Sequence, residues 1–161
     1  GFDGKIPFFT YEMMGEQTIL VLMSQKANPE TMDRKNYPFH PVLNHNEEFE
    51  TVDTYVIDIK AKDPRYPYSR KTVWVDKNKF SVLYFQAYDK NGKFWKGFWN
   101  GAQVRPLKTT YGEEPYRIQS ASGITDFKTG YWIETITGGL SMNHGVEPEY
   151  FRPETLSGGT W

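Results

Sequence analysis

The sequence predicts a mainly β protein: a curved, open antiparallel sheet, or incomplete β-barrel, with little helix. Three observations carry this. Aromatics make up 17% of the 161 residues, and Val, Ile, Tyr, Phe and Trp cluster between plentiful Gly (14) and Pro (10), as in strands separated by turns. Several short segments alternate apolar and polar residues, the period of a strand with one covered face. Turn chemistry recurs between them, at Asp76-Lys77-Asn78-Lys79, Asn91-Gly92 and Lys128-Thr129-Gly130.

Taken in order, 7-PFFTYEMMGE-16 fits either one helical turn or an extended arm. Residues 17–25 form a strand that is apolar on both parities, with Ile19, Val21 and Met23 against Leu20 and Leu22, so both of its faces are expected to be covered. Residues 27–46 are polar and punctuated by Pro, a long loop. Residues 49–61 alternate, with Tyr55, Ile57 and Ile59 on one face, and 62–67 connect. Strands follow at 68–75, 80–88 and 94–100. Residues 105–115 look loop-like, and 116–127 with 131–137 make a last hairpin. The tail after Gly138-Gly139 holds one short helical turn near Pro148 to Phe151. The expectation is six or seven strands in a meander, one β-rich domain over residues 1–161. The opening Gly1-Phe2-Asp3-Gly4 reads like an internal cut, so the chain is expected to be a portion of a longer protein.

Hairpin geometry sorts the rings. With Asn91-Gly92 as a two-residue type I′ loop, Phe85 lies opposite Phe98 and Tyr88 opposite Trp95. With 76–79 as the preceding turn, Val75 lies opposite Phe80 and Trp74 opposite Ser81. One face then carries Trp74, Leu83, Phe85, Ala87, Phe94 and Phe98, almost purely apolar. The other carries Val73, Val75, Val82, Tyr84, Tyr88, Trp95 and Trp99, mixed with Lys71 and Gln86. Burying one large apolar side chain is worth roughly 1.5–3 kcal/mol. The first face therefore needs a cover: an ordinary core, further chain, a partner or an apolar ligand.

Catalytic and metal chemistry find little support. There is no cysteine, which removes disulfides, thiolate metal sites and cysteine nucleophiles. His40 and His45 precede Glu47, Glu48 and Glu50, but 45-HNEEFE-50 is not HExxH and fixes no ligand geometry. No serine sits in GxSxG and no glycine-rich phosphate loop occurs. The formal net charge of −1 argues against nucleic acid, despite the interleaved 65-RYPYSRK-71. No apolar run approaches the ~20 residues of a spanning helix. The expectation is no enzyme, no cofactor and no metal.

The stretch 66-YPYSRKTVWVDKNKFSVLYFQAYDKNGKFWK-96 resembles the outer-membrane lipoprotein-sorting (LolA/LolB-like) family, and in particular its large uncharacterised branch. The family pattern is a strand ending in V-D, a turn, a strand ending in Y-D, then G-K and another apolar strand. Here it falls on Val75-Asp76, Tyr88-Asp89 and Gly92-Lys93. Upstream 44-NHNEEFETVDTYVIDIKAK-62 and downstream 147-EPEYFRPETL-156 are similar to flanking family segments. The resemblance covers about two thirds of the chain and points to a C-terminal portion. It implies a periplasmic or outer-membrane-peripheral carrier of lipid or lipoprotein acyl chains in a Gram-negative-type bacterium, without catalysis. A membrane transporter, or the remainder of its own chain, is the implied partner. The ligand face would be Trp74, Leu83, Phe85, Phe94 and Phe98. The competing expectation is a non-catalytic interaction subunit that docks a partner protein through its aromatic face.

Overall fold

A computed structural model describes residues 6–24, 48–109, 112–136 and 152. After a 3-10 turn at Ile6–Phe8 come seven strands: β1 (Phe9–Ser24), β2 (Glu48–Ala61), β3 (Arg70–Asp76), β4 (Val82–Tyr88), β5 (Phe94–Thr109), β6 (Gly112–Asp126) and β7 (Trp132–Ile136). They form one sheet in sequence order, β1 to β7, with every neighbouring pair antiparallel. The fold class is the predicted one: mainly β, open rather than closed into a barrel, with almost no helix among the described residues.

Two boundaries differ from expectation. The extended alternative holds for 9–16, where β1 starts at Phe9 and only Ile6–Phe8 is helical. Residues 105–115, expected as loop, instead belong mostly to the β5–β6 hairpin, which places Pro106 directly opposite Pro115. An antiparallel ladder contains opposed pairs whose N–H groups point away from each other, and there two prolines cost no ladder bond. The histidine loop around His40 and His45, Glu47, and the tail with His144 lie outside the described residues.

The turns and the bulges beside them correct the predicted register. Three hairpins share one device, an aspartate at the end of the incoming strand whose Oδ1 accepts hydrogen bonds from the turn backbone. Asp76 accepts from the N–H groups of Asn78 (2.7 Å) and Lys79 (3.1 Å). Asp89 accepts from Asn91 (3.0 Å) and Lys93 (2.9 Å), and Asp126 from Lys128 (2.9 Å) and Thr129 (3.2 Å). Each turn ends on a left-handed residue, Phe80, Gly92 or Gly130, at φ 53°, 76° and 74°. Asn91 is not left-handed, so Asn91-Gly92 is not a two-residue type I′ loop. The turn starts at Asp89, a bulge follows, and Tyr88 pairs with Phe94 rather than Trp95. Likewise Trp74 pairs with Tyr84, not Ser81, and Val75 with Val82, not Phe80. An odd shift in register moves a strand's side chains to the other face relative to its neighbour. The predicted pairing of Phe85 with Phe98 stands.

The sheet curls because the second half of β1 folds across one face of β4 to β6. Val21 packs on Leu83, and Leu22 on Ala121 and Trp99. The Tyr84 hydroxyl donates to the Leu20 carbonyl at 2.9 Å, and the Trp74 indole N–H to Gln17 Oε1 at 2.9 Å. Val21 and Leu22 have opposite parity, yet both are fully buried. This is the outcome expected of a strand apolar on both sides. The face under β1 is the inside of the curl. The outside carries a second core, Phe9, Ile59 and Val73, with Ile57, Tyr66 and Phe85 packed against it.

Candidate functional site

Pairing across the sheet builds the inner face row by row. One row runs Gly15, Val56, Trp74, Tyr84, Trp99, Gly123 and Glu134, one residue from each of the seven strands. Its centre is three rings abreast. The last ring fits because its neighbour on β6 is a glycine: a Cβ at Gly123 would overlap the Trp99 indole. Beyond the row, Phe94 and Phe127 meet at 4.8 Å between ring centres, on the side of Gly97 that a Cβ would occupy.

These residues enclose an open cleft of about 400 Å³, lined mainly by Ile19, Trp74, Tyr84, Phe94, Trp99 and Phe127, with Gln17, Gln86 and Thr125 as its polar positions. The shape and lining are those of a site that holds an apolar ligand through area removed from water. Burial pushes the Tyr84 phenol up from its ordinary value, so it remains a hydrogen-bond donor. At the end of the aromatic row the Glu134 carboxyl is pushed up to about 7 by burial.

Four of the five residues expected to form the ligand face, Trp74, Phe85, Phe94 and Phe98, are among those that line the cleft, although they do not all lie in one row of the sheet. Trp74 and Phe94 line the cleft. Leu83 sits in the β3–β4 register irregularity, where it turns inward and is buried against Val21, outside the cleft lining. Phe85 and Phe98 stack on each other at 4.7 Å on the outer face, and Phe85 packs against the Phe9–Ile59–Val73 core. Both are also among the residues that line the cleft. Tyr84 and Trp99, grouped from sequence with the opposite face, are central to the cleft. What inverts the parity is the β3–β4 irregularity, where Leu83 is passed over between the Trp74–Tyr84 and Val75–Val82 pairs, and no turn residue in the sequence marks it.

Next to the aromatic row lies a polar one. The Arg70 guanidinium donates through Nη1 to Asp58 Oδ2 (2.9 Å) and to Thr72 Oγ1 (3.3 Å). Thr72 Oγ1 in turn donates to Asp58 Oδ1 (2.5 Å). Arg70 Cζ stands 3.9 Å from the centre of the Tyr88 ring. The Tyr88 hydroxyl donates to Gln86 Oε1 at 2.7 Å, and its ring meets Phe94 edge-on at 6.0 Å. Among the described residues no group of three or more His, Asp or Glu is placed to hold a metal ion, and no helix is long and apolar enough to cross a membrane.

The curled sheet with an apolar inner cleft defines a lipoprotein-sorting-like fold. It is similar to a crystal structure described as an outer membrane lipoprotein-sorting protein domain from Vibrio parahaemolyticus, at a TM-score of 0.55 and 16% identity, over 94% of this chain and 49% of that one. It is also similar to a DUF1329 family protein from Desulfovibrio piger, with a TM-score of 0.49 and 16% identity, over 96% of this chain and 50% of that one. The chain thus spans about half the length of each. Residues 1–157 match the family described as protein of unknown function (DUF1329), and the chain belongs to that family. No curated protein matches the chain significantly.

Proposed function

We propose that the protein is a non-catalytic carrier of the bacterial cell envelope, working in the periplasm or at the outer-membrane periphery. It takes acyl chains of lipid or lipoprotein into the inner cleft and passes them to a membrane transporter or acceptor. The observation that carries this is the open apolar cleft on the inside of the curl, with Trp74, Tyr84 and Trp99 abreast along it. The likeness in fold to a lipoprotein-sorting domain supports the same reading. Apolar area supplies the affinity, and the indole and phenol edges tolerate a ligand with a polar end. The ligand face in this reading centres on Trp74, Tyr84, Phe94 and Trp99, with Phe85 and Phe98 at its border and Leu83 behind it.

The test compares one cleft residue with one outer residue. Phe94→Asp places an unpaired charge at the cleft, whereas Ile133→Asp changes a side chain that is 73% exposed on the outer face. Fatty-acid affinity, measured with a fluorescent fatty acid, falls at least tenfold in the first variant and is unchanged in the second. A parent protein that binds no fatty acid, or an effect confined to Ile133→Asp, defeats the carrier.

The second reading is a docking subunit with no ligand. What favours it is a row on the outer face, Met13, Ile57, Val73, Phe85, Phe98, Ile124 and Ile133, apolar at every strand. Its two ends are exposed. Under that reading Ile133→Asp abolishes association with a partner protein and Phe94→Asp does not.

A further inference from the structure

The polar row beside the cleft has a feature that packing alone does not require. Arg70 is held by three neighbours: Asp58 and Thr72 accept from Nη1, and Cζ stands 3.9 Å from the centre of the Tyr88 ring. Asp58 is buried, with 7% of its side chain exposed, while Arg70 keeps 36%. Both hydrogen bonds use one nitrogen, Nη1. Nε and Nη2 make no hydrogen bond among the described residues. A guanidinium presents its donors as a planar fork that fits two oxygens of a carboxylate or phosphate. When its other side is already held, little side-chain entropy remains to be lost on binding.

The position of Arg70 connects this fork to the cleft. Arg70, Thr72 and Trp74 alternate onto the same inner face of β3. Contact is continuous from Arg70 through Tyr88 to Phe94, which lines the cleft, and from Tyr88 to Gln86, which also lines it. Trp74 is four strand steps from Arg70, or about 13 Å. Along one strand the inner face therefore passes from an oxyanion-matching fork to an apolar trough. The other charges on this part of the face are Glu12 and Lys60, themselves paired at 3.8 Å, so they leave no net local charge to repel an anion.

We propose that Arg70 anchors the anionic head, a carboxylate or phosphate, of an amphiphile whose apolar tail lies along Trp74, Tyr84 and Trp99. This rests on the carrier reading and adds the head-group chemistry to it. Asp58 and Thr72 are positioning residues that aim the fork. Tyr88 forms the wall between head and tail.

The experiment separates the anchor from the cleft. The parent protein is titrated with cis-parinaric acid and with its methyl ester at pH 7.5, at low and at high salt. The acid binds about tenfold tighter than the ester, the scale of one charge-assisted hydrogen-bond pair, and the difference shrinks at high salt. Arg70→Gln removes the preference by weakening only the acid. The double variant Arg70→Gln/Asp58→Asn, which leaves no buried carboxylate without its partner, does the same. Dodecyl phosphate and dodecanoate displace the probe, whereas inorganic phosphate alone does not. Displacement by inorganic phosphate alone would make this a free-anion site and overturn the proposal. Equal affinity of the parent for acid and ester, or an equal loss of both in either folded variant, also overturns the anchor and leaves the cleft reading standing. A parent that binds neither probe defeats both.

Discussion

Phe80 is the left-handed residue of the β3–β4 turn, at φ 53°, where the two sister turns carry Gly92 and Gly130. A side chain in that conformation costs roughly 1–2 kcal/mol, and Phe80 recovers little by packing, being 74% exposed. Phe80→Gly relieves the backbone and gives back part of the gain as chain entropy. The expected net is a stabilisation of about 0.5–1 kcal/mol, read as a higher urea midpoint at unchanged slope. A lower midpoint would mean that the ring has a role in packing. Gly123 is the opposite case, a glycine held by a neighbour rather than by its own φ. Gly123→Ala drives a methyl into the Trp99 indole. The indole must leave the row, at a cost of about 1–3 kcal/mol. Tryptophan emission should shift as Trp99 moves, and fatty-acid affinity should fall with it. Neither residue announces its role in sequence. Phe80 looks like the first residue of a strand, and Gly123 like an ordinary interruption of one.

At the scale of elements, the strands were legible and their registration was not. Alternation in 49–61 and the apolar runs at 80–88 and 94–100 mark strands by chemistry that survives an error of a residue or two. Register depends on turns and bulges: Asp76, Asp89 and Asp126 capture the turn backbone, and Leu83 is passed over between the Trp74–Tyr84 and Val75–Val82 pairs. That irregularity at Leu83 puts Tyr84 and Trp99 in the row of Trp74, and Phe85 and Phe98 in the row of Val73. The same turns make the sheet sensitive to acid. The Lys128 ammonium, with backbone N–H groups of Lys93 and Asn91, holds the Asp89 carboxyl below the usual carboxylate range. At Asp126 burial pushes upward, but the N–H groups of Lys128 and Thr129 and the Trp95 indole outweigh it and the net is also downward. Groups with depressed folded values stabilise above their unfolded value, and that contribution is lost as pH falls below about 4. Glu134 has the reverse sign. Its value rises to about 7 on folding, so between about 4.5 and 7 the folded state binds more protons than the unfolded one. Stability therefore falls as pH rises through that window. Glu134→Gln is expected to flatten the fall between pH 5 and 7 while leaving the acid limb in place, as followed by urea denaturation across pH. A fall of unchanged depth in the variant would assign it to another group.

For the molecule as a whole, the question is what keeps an open seven-stranded sheet curled. Twist bends any sheet, but here the curl is held by β1, the strand that sequence marked as covered on both sides. Leu22 is 1% exposed and lies on Ala121 and Trp99, across the inner face from its own pairing partner Phe49 on β2. Val21 and the Tyr84 hydroxyl hold the same segment to β4. Each hairpin carries its own ladder, so loosening β1 should open the cleft before it unfolds the sheet. Leu22→Ala removes a fully buried side chain at a cost of about 2–5 kcal/mol. Amide exchange is expected to accelerate first in the second half of β1 and around Gly101 and Ala121, while the β3–β4 ladder keeps its protection. Fatty-acid affinity should drop together with that local opening, although Leu22 does not line the cleft. Uniform acceleration across all seven strands would mean that the curl and the sheet form one cooperative unit, and that β1 is core rather than clasp.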